Sequence, residues 1–357
     1  MPDLPTLNNP EKIEIYRNSG LIISVSRQID PAAVTLLKRT IYGTSGVRYQ
    51  HTNQETKIRS LQNPLFFHLY RLGQLIGTYC LVERPLDIDS QLITAFYGRY
   101  LSIDENHVSN GYGRLMKEQA VAFVEQCTQP PILFYSYIEA KNTRSIAISR
   151  QQGFESIATL NTYFFRRFSP QKSPGLVVAS AEELPEIRSL LNQFYQQHTF
   201  KTFDNIGYNQ HYFVLKESGQ IVAGVQANPI CWRFHQIAGI RGWMFMNILP
   251  RFGLTRRFFN PTQNCFLVLE GIYFEEGRPN LLPVLLESVL AHFGQHSAMC
   301  EIDQSDPLVP VLISKAMGFL SGFEKDVATH VFIKAVGVSE QRLLTLKPLY
   351  TSCFDYT

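Results

Sequence analysis

The sequence predicts a mixed α+β fold built as two tandem units. Three observations predict it. Strand-like runs that turn at glycine alternate with helix-like stretches; a polar segment with two prolines, Ser169-Pro170-Gln171-Lys172-Ser173-Pro174, divides the chain near its middle; and three short patterns recur in one order on both sides of that segment.

The first recurring pattern is Gly20-Leu21-Ile22-Ile23 followed by a helix-like stretch, matched by Gly175-Leu176-Val177-Val178 followed by another. The second is a hairpin: Gly73-Gln74-Leu75-Ile76-Gly77 after one strand, and Gly219-Gln220-Ile221-Val222-Ala223-Gly224 after another. The third is Ser149-Arg150-Gln151-Gln152-Gly153-Phe154 against Ser314-Lys315-Ala316-Met317-Gly318-Phe319, each closing a helix-like stretch with a glycine suited to a left-handed cap. Three matches in order favour duplication of one α/β unit.

In order, the first unit reads as strand 21–26, helix 31–42, strands 65–71 and 75–83, strand 93–103, helix 112–127, strand 132–139, helix 142–152, and strands to 168. The second reads as strand 175–179, helix 181–197, hairpin 211–228, strand 265–274, helix 280–294, strand 297–302, helix 307–317 and a final hairpin. The expected division is 1–170, 175–337 and a C-terminal tail, 338–357. An insertion, 231–264, has no counterpart in the first unit.

Composition narrows the function. The 357 residues are 45% apolar and 18% charged, with 33 basic and 30 acidic side chains. A folded protein with an ordinary core is expected, and the near-balanced charge gives no case for nucleic acid or an anionic membrane as partner. The six cysteines form no CxxC and no zinc-like spacing with histidine, so reduced, buried thiols and a cytoplasmic location are expected, with no metal. The start, Met1-Pro2-Asp3-Leu4-Pro5, lacks the basic and apolar regions of a signal peptide, and no apolar run approaches the ~18 residues of a membrane span.

The densest chemical signal is Leu101-Ser102-Ile103-Asp104-Glu105-Asn106-His107-Val108-Ser109-Asn110-Gly111-Tyr112-Gly113-Arg114. A strand ends, a turn-rich loop follows, and two glycines open a helix. Such a turn lets successive N–H groups point inward before the positive end of a helix dipole, which suits a pyrophosphate. A dinucleotide-binding fingerprint is excluded by the missing third glycine and acidic partner.

Strand, GxG-opened helix, strand, then Asn142-Thr143-Arg144-Ser145-Ile146-Ala147 and Gly153-Phe154 resembles the Gcn5-related N-acetyltransferase superfamily, in full order over about 20–168 and more weakly in the second half. The resemblance implies two tandem acyl-CoA N-acyltransferase-like units, each a mixed, mostly antiparallel sheet flanked by helices. It implies an acetyltransferase taking acetyl-CoA as co-substrate and a primary amine, of a small molecule or a protein, as acceptor. Leu101 and Ile103 would offer backbone groups to the pantetheine arm, the loop residues Ser109, Asn110, Gly111, Tyr112, Gly113 and Arg114 would hold the pyrophosphate, and Asn142 would fall near the thioester. Val108 stands where the family has glutamine or arginine. The same residues also admit plain roles: Leu101 and Ile103 as core, Asn142 as a helix N-cap.

Acetyl transfer to an amine needs a base for the ammonium, donors for the oxyanion and an acid for the thiolate. The family's acid, a tyrosine four residues before the Gly-Phe glycine, is here Ser149. Alternation along 132–139 puts Tyr135, Tyr137 and Glu139 on one face, so Tyr137 is the candidate acid and Glu139 the candidate base; core tyrosines and a solvated strand-end glutamate are the alternative. Tyr97 stands where the family often carries a base.

In the second unit the matching loop is Glu275-Glu276-Gly277-Arg278-Pro279-Asn280, without GxG and with two carboxylates that repel phosphate, so no coenzyme is expected there. His292 and His296 lie four apart but lack a carboxylate to complete a metal site. The insertion, with Trp232, Trp243, Phe245 and Phe252 among Arg233, Arg241 and Arg251, is expected to face the thioester end and pack the halves together.

Overall fold

A computed structural model describes residues 12–43, 46–52, 54–88, 91–338 and 348–355, apart from the side chains of 254 and 323–327. The signal-peptide reading at Met1–Pro5 lies outside the described residues, as does most of the proposed tail. In chain order the elements are β1 (Ile13–Asn18), β2 (Leu21–Ser26), α1 (Pro31–Arg39), β3 (Val47–His51), α2 (Gln54–Arg59), β4 (Pro64–Arg71), β5 (Gln74–Ile88), β6 (Gln91–Ile103), α3 (Tyr112–Cys127), β7 (Ile132–Glu139), α4 (Thr143–Gln151) and β8 (Glu155–Arg166). Then follow β9 (Leu176–Val178), α5 (Leu184–Phe194), β10 (Tyr212–Glu217), β11 (Gln220–Ile237), α6 (Gly239–Asn247), α7 (Gly253–Arg256), β12 (Asn264–Phe274), α8 (Leu281–Phe293), β13 (Ser297–Asp303), α9 (Val309–Leu312) and β14 (Gly322–Val336).

The chain forms two compact units whose limits depart from the expected break at 169–174. One holds Met1–Gly43, Thr52–Ile157 and His330–Thr345; the other holds Thr44–His51, Ala158–Thr329 and Leu346–Thr357. Each unit therefore takes a strand from the other half of the chain, residues 330–336 of β14 in the first and 158–166 of β8 in the second. A composition shift marks where the chain is polar, and it does not report which sheet a neighbouring strand joins.

Within the first unit the strand order is β1-β2-β4-β5-β6-β7, with the end of β14 beyond β7. From β1 to β6 neighbouring strands pair antiparallel, and β6 pairs parallel with β7. Within the second, the order β9-β10-β11-β12-β13-β8 repeats this plan, again with one parallel pair, β12 with β13. The two hairpins at the matched glycines turn identically, with Leu72 and Gly73 at φ 49° and 82° and Ser218 and Gly219 at 50° and 85°. Two positive φ values in a row match the twist of the flanking strands. The third match is partial: Gly153 follows α4, whereas Gly318 follows a short 3-10 turn, and the expected helix 307–317 is broken into α9 and that turn.

In the first unit Phe67, Phe96, Phe134 and Ile138 from the sheet bury against Met116, Ala120, Val121 and Val124 of α3, the stripe that a period of 3.6 predicts. Asp30 caps α1 by accepting from the Ala32 N–H, with Pro31 at the first helical position. The second unit packs Leu282, Leu285, Leu286 and Val289 of α8 on the inner strands.

Three expectations are corrected. Cys231 and Cys265 face each other directly across β11 and β12, Cα atoms 4.0 Å apart, and are bonded as a disulfide; Cys80, Cys127, Cys300 and Cys353 stay outside it as thiols. Sequence spacing of 34 gave no sign of a register that opposes them. Residues 348–355 are no tail: Leu349, Tyr350, Cys353 and Phe354 are buried in the second unit. The expected final hairpin is the single long strand β14.

Candidate functional site

The strand pair at the centre of the first unit comes apart halfway. Parallel pairing of β6 with β7 runs from Thr94↔Ile132 to Tyr97↔Tyr135 and stops, although both strands continue. Just beyond, β6 bulges: Cys80 of β5 pairs with Arg99, but Thr78 pairs with Ser102, and Tyr100 adopts φ 57°. Leu101 and Ile103 follow the bulge, half-buried, on a strand edge that β7 no longer covers. Gly98 marks the start of the opening; a Cβ there would lie 2.2 Å from the Tyr79 hydroxyl oxygen. Such an edge can take an extended ligand as an added strand.

The edge runs straight into the glycine turn. Asp104 fastens its start by accepting from the Asn106 N–H at 3.1 Å, and the Asn110 amide holds the middle by donating to the carbonyls of His107 and Val108. Ser109 and Gly111 have φ 68° and 79°, and Gly111 is the N-cap of α3 without a side-chain cap. The first N–H groups of α3 therefore have no intrahelical acceptor and face the turn. A Cβ at Gly111 would meet no atom within 4 Å, and one at Gly113 only Ile103 and Leu101, at 3.9 and 4.0 Å. The two residues expected beside the pantetheine arm thus also wall the space above Gly113, and a pyrophosphate fits that chemistry. Tyr112 packs on the core, Arg114 and Val108 are exposed, and the side-chain amide of Gln152, the C-cap of α4, donates to the Arg114 carbonyl at 3.0 Å.

On the opposite face of the sheet from Phe96 and Phe134, Tyr97 stacks on Tyr135 at 5.1 Å, and Tyr137 meets both rings at 5.4 and 5.8 Å. Tyr135 is buried and Tyr137 half-buried; Glu139 is half-buried one pleat further on. Two buried arginines flank this group: the guanidinium carbons of Arg84 on β5 and Arg99 on β6 each lie 5.5 Å from the Tyr97 ring centre. Asn142 is the N-cap of α4, its side-chain oxygen accepting from the Ser145 N–H at 3.1 Å.

Sequence reasoning missed Lys117. It is buried on α3, donates to the Ser149 hydroxyl at 2.7 Å and lies 3.8 Å from the Phe154 ring centre. Burial, with repulsion from Lys334, pushes its pKa down to about 7. Adjacent to Met116 on the apolar stripe, it reads from sequence as a surface residue whose stem snorkels; only α4 closing over it buries the charge. Arg84 and Arg99 were missed for the same reason, since strand alternation does not say which face a helix covers.

In the second unit the equivalent opening is filled. Pairing of β12 with β13 is confined to Leu267↔Ala298 and Val268↔Met299, and residues 350–353 lie against the continuing strands. The Thr351 hydroxyl donates to the Glu301 carbonyl, the Glu301 N–H donates to Cys353 Sγ, and the Ser352 hydroxyl donates to Glu270. Its glycine-poor loop is also occupied: Arg278 bonds to Glu217 and Glu275. His292 meets Phe213 edge to face, and His296 bonds to the Arg167 carbonyl. Among the described residues no group of three or more histidine, cysteine or acidic side chains could hold a metal ion.

No family model matches the sequence, and no curated protein matches it. Solved structures do match by fold. N-myristoyltransferase of Saccharomyces cerevisiae with bound myristoyl-CoA aligns at TM-score 0.62 and 10% identity, over 93% of this chain and 86% of that one. A second structure of that protein, with myristoyl-CoA and inhibitors, aligns at 0.60 over 93% and 84%, again at 10% identity. A GCN5-related N-acetyltransferase from Kribbella flavida aligns at 0.50 and 8% identity over 89% and 72%. These likenesses concern fold.

Proposed function

The chain has the acyl-CoA N-acyltransferase fold of the Gcn5-related superfamily, and we propose that it is an acetyl-CoA-dependent N-acetyltransferase acting on a primary amine. The observation that carries the reading is the opening between β6 and β7 that leads into the glycine turn of α3. An extended arm fits the free edge at Leu101 and Ile103. Its pyrophosphate fits Ser109, Asn110, Gly111, Tyr112, Gly113 and Arg114, and the thioester then falls near Asn142 and Tyr137.

In this reading Glu139, directly or through water, takes a proton from the acceptor ammonium. The neutral amine nitrogen bonds to the acyl carbon, the carbon–sulfur bond breaks, Tyr137 gives its proton to the departing thiolate, and the second proton of the nitrogen goes to the Tyr137 phenolate, leaving the amide, coenzyme A and a protonated Glu139. Arg84 and Arg99 hold the tyrosine group in a fixed array. The amine belongs to a small molecule or a protein.

A second reading, transfer of a longer acyl chain, is favoured by one observation, the likeness to a structure holding myristoyl-CoA. Thioester turnover with an amine panel tests for an enzyme; competition with acyl-CoAs of rising length separates the two acyl readings. Binding of acyl-CoA without turnover on any amine would make the protein a sensor.

No helix among the described residues is long and apolar enough to cross a membrane. A cytoplasmic location rests on the buried, reduced thiols of Cys80 and Cys300; counting thiols after rapid alkylation in cells tests it, because the Cys231–Cys265 bond favours an oxidising compartment.

A further inference from the structure

The balanced charge of the whole chain hides a local concentration. The insertion 231–264 contains Arg233, Arg241, Arg251, Arg256 and Arg257 and not one acidic residue, so all 30 acidic side chains and only 28 of the 33 basic ones lie elsewhere. All five arginines are exposed, and none has an ion-pair partner among the described residues. A segment of 34 residues at charge +5 attracts anions whatever the rest of the chain carries.

The same segment turns apolar side chains outward. On α6, Ile240, Trp243 and Met244 stand at positions i, i+3 and i+4, one helical face, and are 83, 58 and 42% exposed. The orientation is fixed from the inner side: Gly242 is buried so tightly that a Cβ would lie 2.2 Å from the Ile237 carbonyl oxygen. Phe245 is half-anchored on Phe259, which itself meets Phe234. Phe252, 59% exposed, adds a further apolar side chain at the start of α7. The sequence suggested that Trp232, Trp243, Phe245 and Phe252 pack the halves together; Trp243, Phe245 and Phe252 are exposed.

Beside Phe252 opens a pocket of about 270 Å3 lined by Arg256, Arg257, Asn260, Gln263, Asn264 and Gln295. Two guanidinium groups and four side-chain amides line it. The side-chain oxygen of Asn260 already accepts from Thr262 and that of Asn264 from the Asn260 N–H, so both amides present their NH2 groups, and no carboxylate lines the pocket. The Cys231–Cys265 disulfide closes the base of the insertion, and Cys265 forms part of the pocket wall.

We propose that the insertion docks on an anionic phospholipid bilayer, with α6 and Phe252 entering the interface and the Arg256–Arg257 pocket holding a lipid phosphate. Apolar and aromatic side chains on one face, arginines around them and a pocket lined by two arginines and no carboxylate satisfy the two requirements of reversible interfacial binding, buried apolar area and attraction to acidic headgroups. A nucleic acid would match the charge but leaves the contiguous Ile240, Trp243 and Met244 face in water. The proposal does not depend on the acyltransferase reading.

The test uses the full chain and vesicles of phosphatidylcholine, with or without phosphatidylglycerol. Sedimentation is expected only with the anionic vesicles. Arg256→Gln with Arg257→Gln should weaken it about 30-fold, roughly fivefold for each arginine near the surface. Trp243→Ala with Phe252→Ala should also weaken it, and in a Trp232→Phe background the fluorescence of Trp243 should be quenched by brominated lipid. The four side chains changed in the two double variants are exposed and Trp232 is half-buried, so unchanged thermal unfolding checks that each variant remains folded. Equal binding to neutral vesicles, no binding at all, or full binding by either double variant would overturn the proposal. Displacement from vesicles by low concentrations of inorganic phosphate would make the pocket a free-anion site instead, and displacement by an oligonucleotide would make the surface a nucleic-acid site. A dimer that depends on Trp243 and excludes vesicles would assign the face to a second copy.

Discussion

Nζ of Lys117 lies 2.7 Å from Oγ of Ser149, and this buried bond ties α3, which carries the glycine turn, to α4, which Asn142 caps. Ser149 occupies the position where the superfamily resemblance places an acid. A hydroxyl accepting from a buried amine is engaged in holding two helices together.

That bond predicts a pH dependence of stability. The folded-state pKa of Lys117 is near 7, below the ~10.4 of an unfolded lysine. Between those values the unfolded chain binds more protons, so stability rises with pH, by at most about 1.4 kcal/mol per unit. Below about pH 7 the penalty is constant, and above the unfolded value it vanishes. Thermal unfolding of Lys117→Met across that window should lose this rise relative to the wild-type protein; parallel profiles would show that the lysine is solvated.

The glycine turn predicts the site of coenzyme binding. Gly111 needs φ 79°, and the space above Gly113 is walled by Leu101 and Ile103. Replacing both glycines by leucine should abolish coenzyme A binding measured by calorimetry, because side chains would fill the space that the pyrophosphate needs. Undiminished binding would move the site elsewhere.

Turnover should follow Tyr137 rather than Ser149. Tyr137→Phe keeps the ring against Tyr97 and Tyr135 and removes only a proton donor, so kcat should fall roughly 10- to 100-fold with little change in coenzyme affinity. Ser149→Ala should instead cost about 1–3 kcal/mol of stability, since it leaves the Lys117 amine without its oxygen partner. A large kcat loss in Ser149→Ala with unchanged stability would reverse the assignment.

What the sequence could and could not show follows from the range of the forces involved. The hairpins at Gly73 and Gly219, the stripe of α3 and the alternation of Tyr135 and Tyr137 are local, set by turn chemistry and periodicity, and the structure has them where the pattern put them. The opening at Tyr97↔Tyr135 is visible only in the pairing register. The same holds for the Cys231–Cys265 bond, which needs two strands aligned across 34 residues, and for β1, β3 and α2, short elements whose existence depends on their partners. The burial of Arg84, Arg99 and Lys117 required knowing which helix covers which face. The membership of β8 and β14 in units of the opposite half had no local signal at all.

The filled opening of the second unit yields the last prediction. Tyr350 is buried against Tyr195 and Phe203, rings 4.8 and 5.1 Å away, and its N–H bonds to the Thr199 carbonyl, while Thr351 and Cys353 hold the backbone of Glu301. Tyr350→Ala removes a large aromatic from this packing and should cost about 3–5 kcal/mol, read as a lowered unfolding midpoint in denaturant. It should not create a second coenzyme site. Even with the slot loosened, the loop before α8 retains Glu275 and Glu276, keeps Arg278 paired with Glu217 and Glu275, and lacks one backbone donor at Pro279. Coenzyme A titrated into the variant, at a temperature where it remains folded, should bind with the same stoichiometry of one per chain as in the wild-type protein. A stoichiometry of two would mean that residues 350–353, rather than the loop chemistry, keep coenzyme out of the second unit.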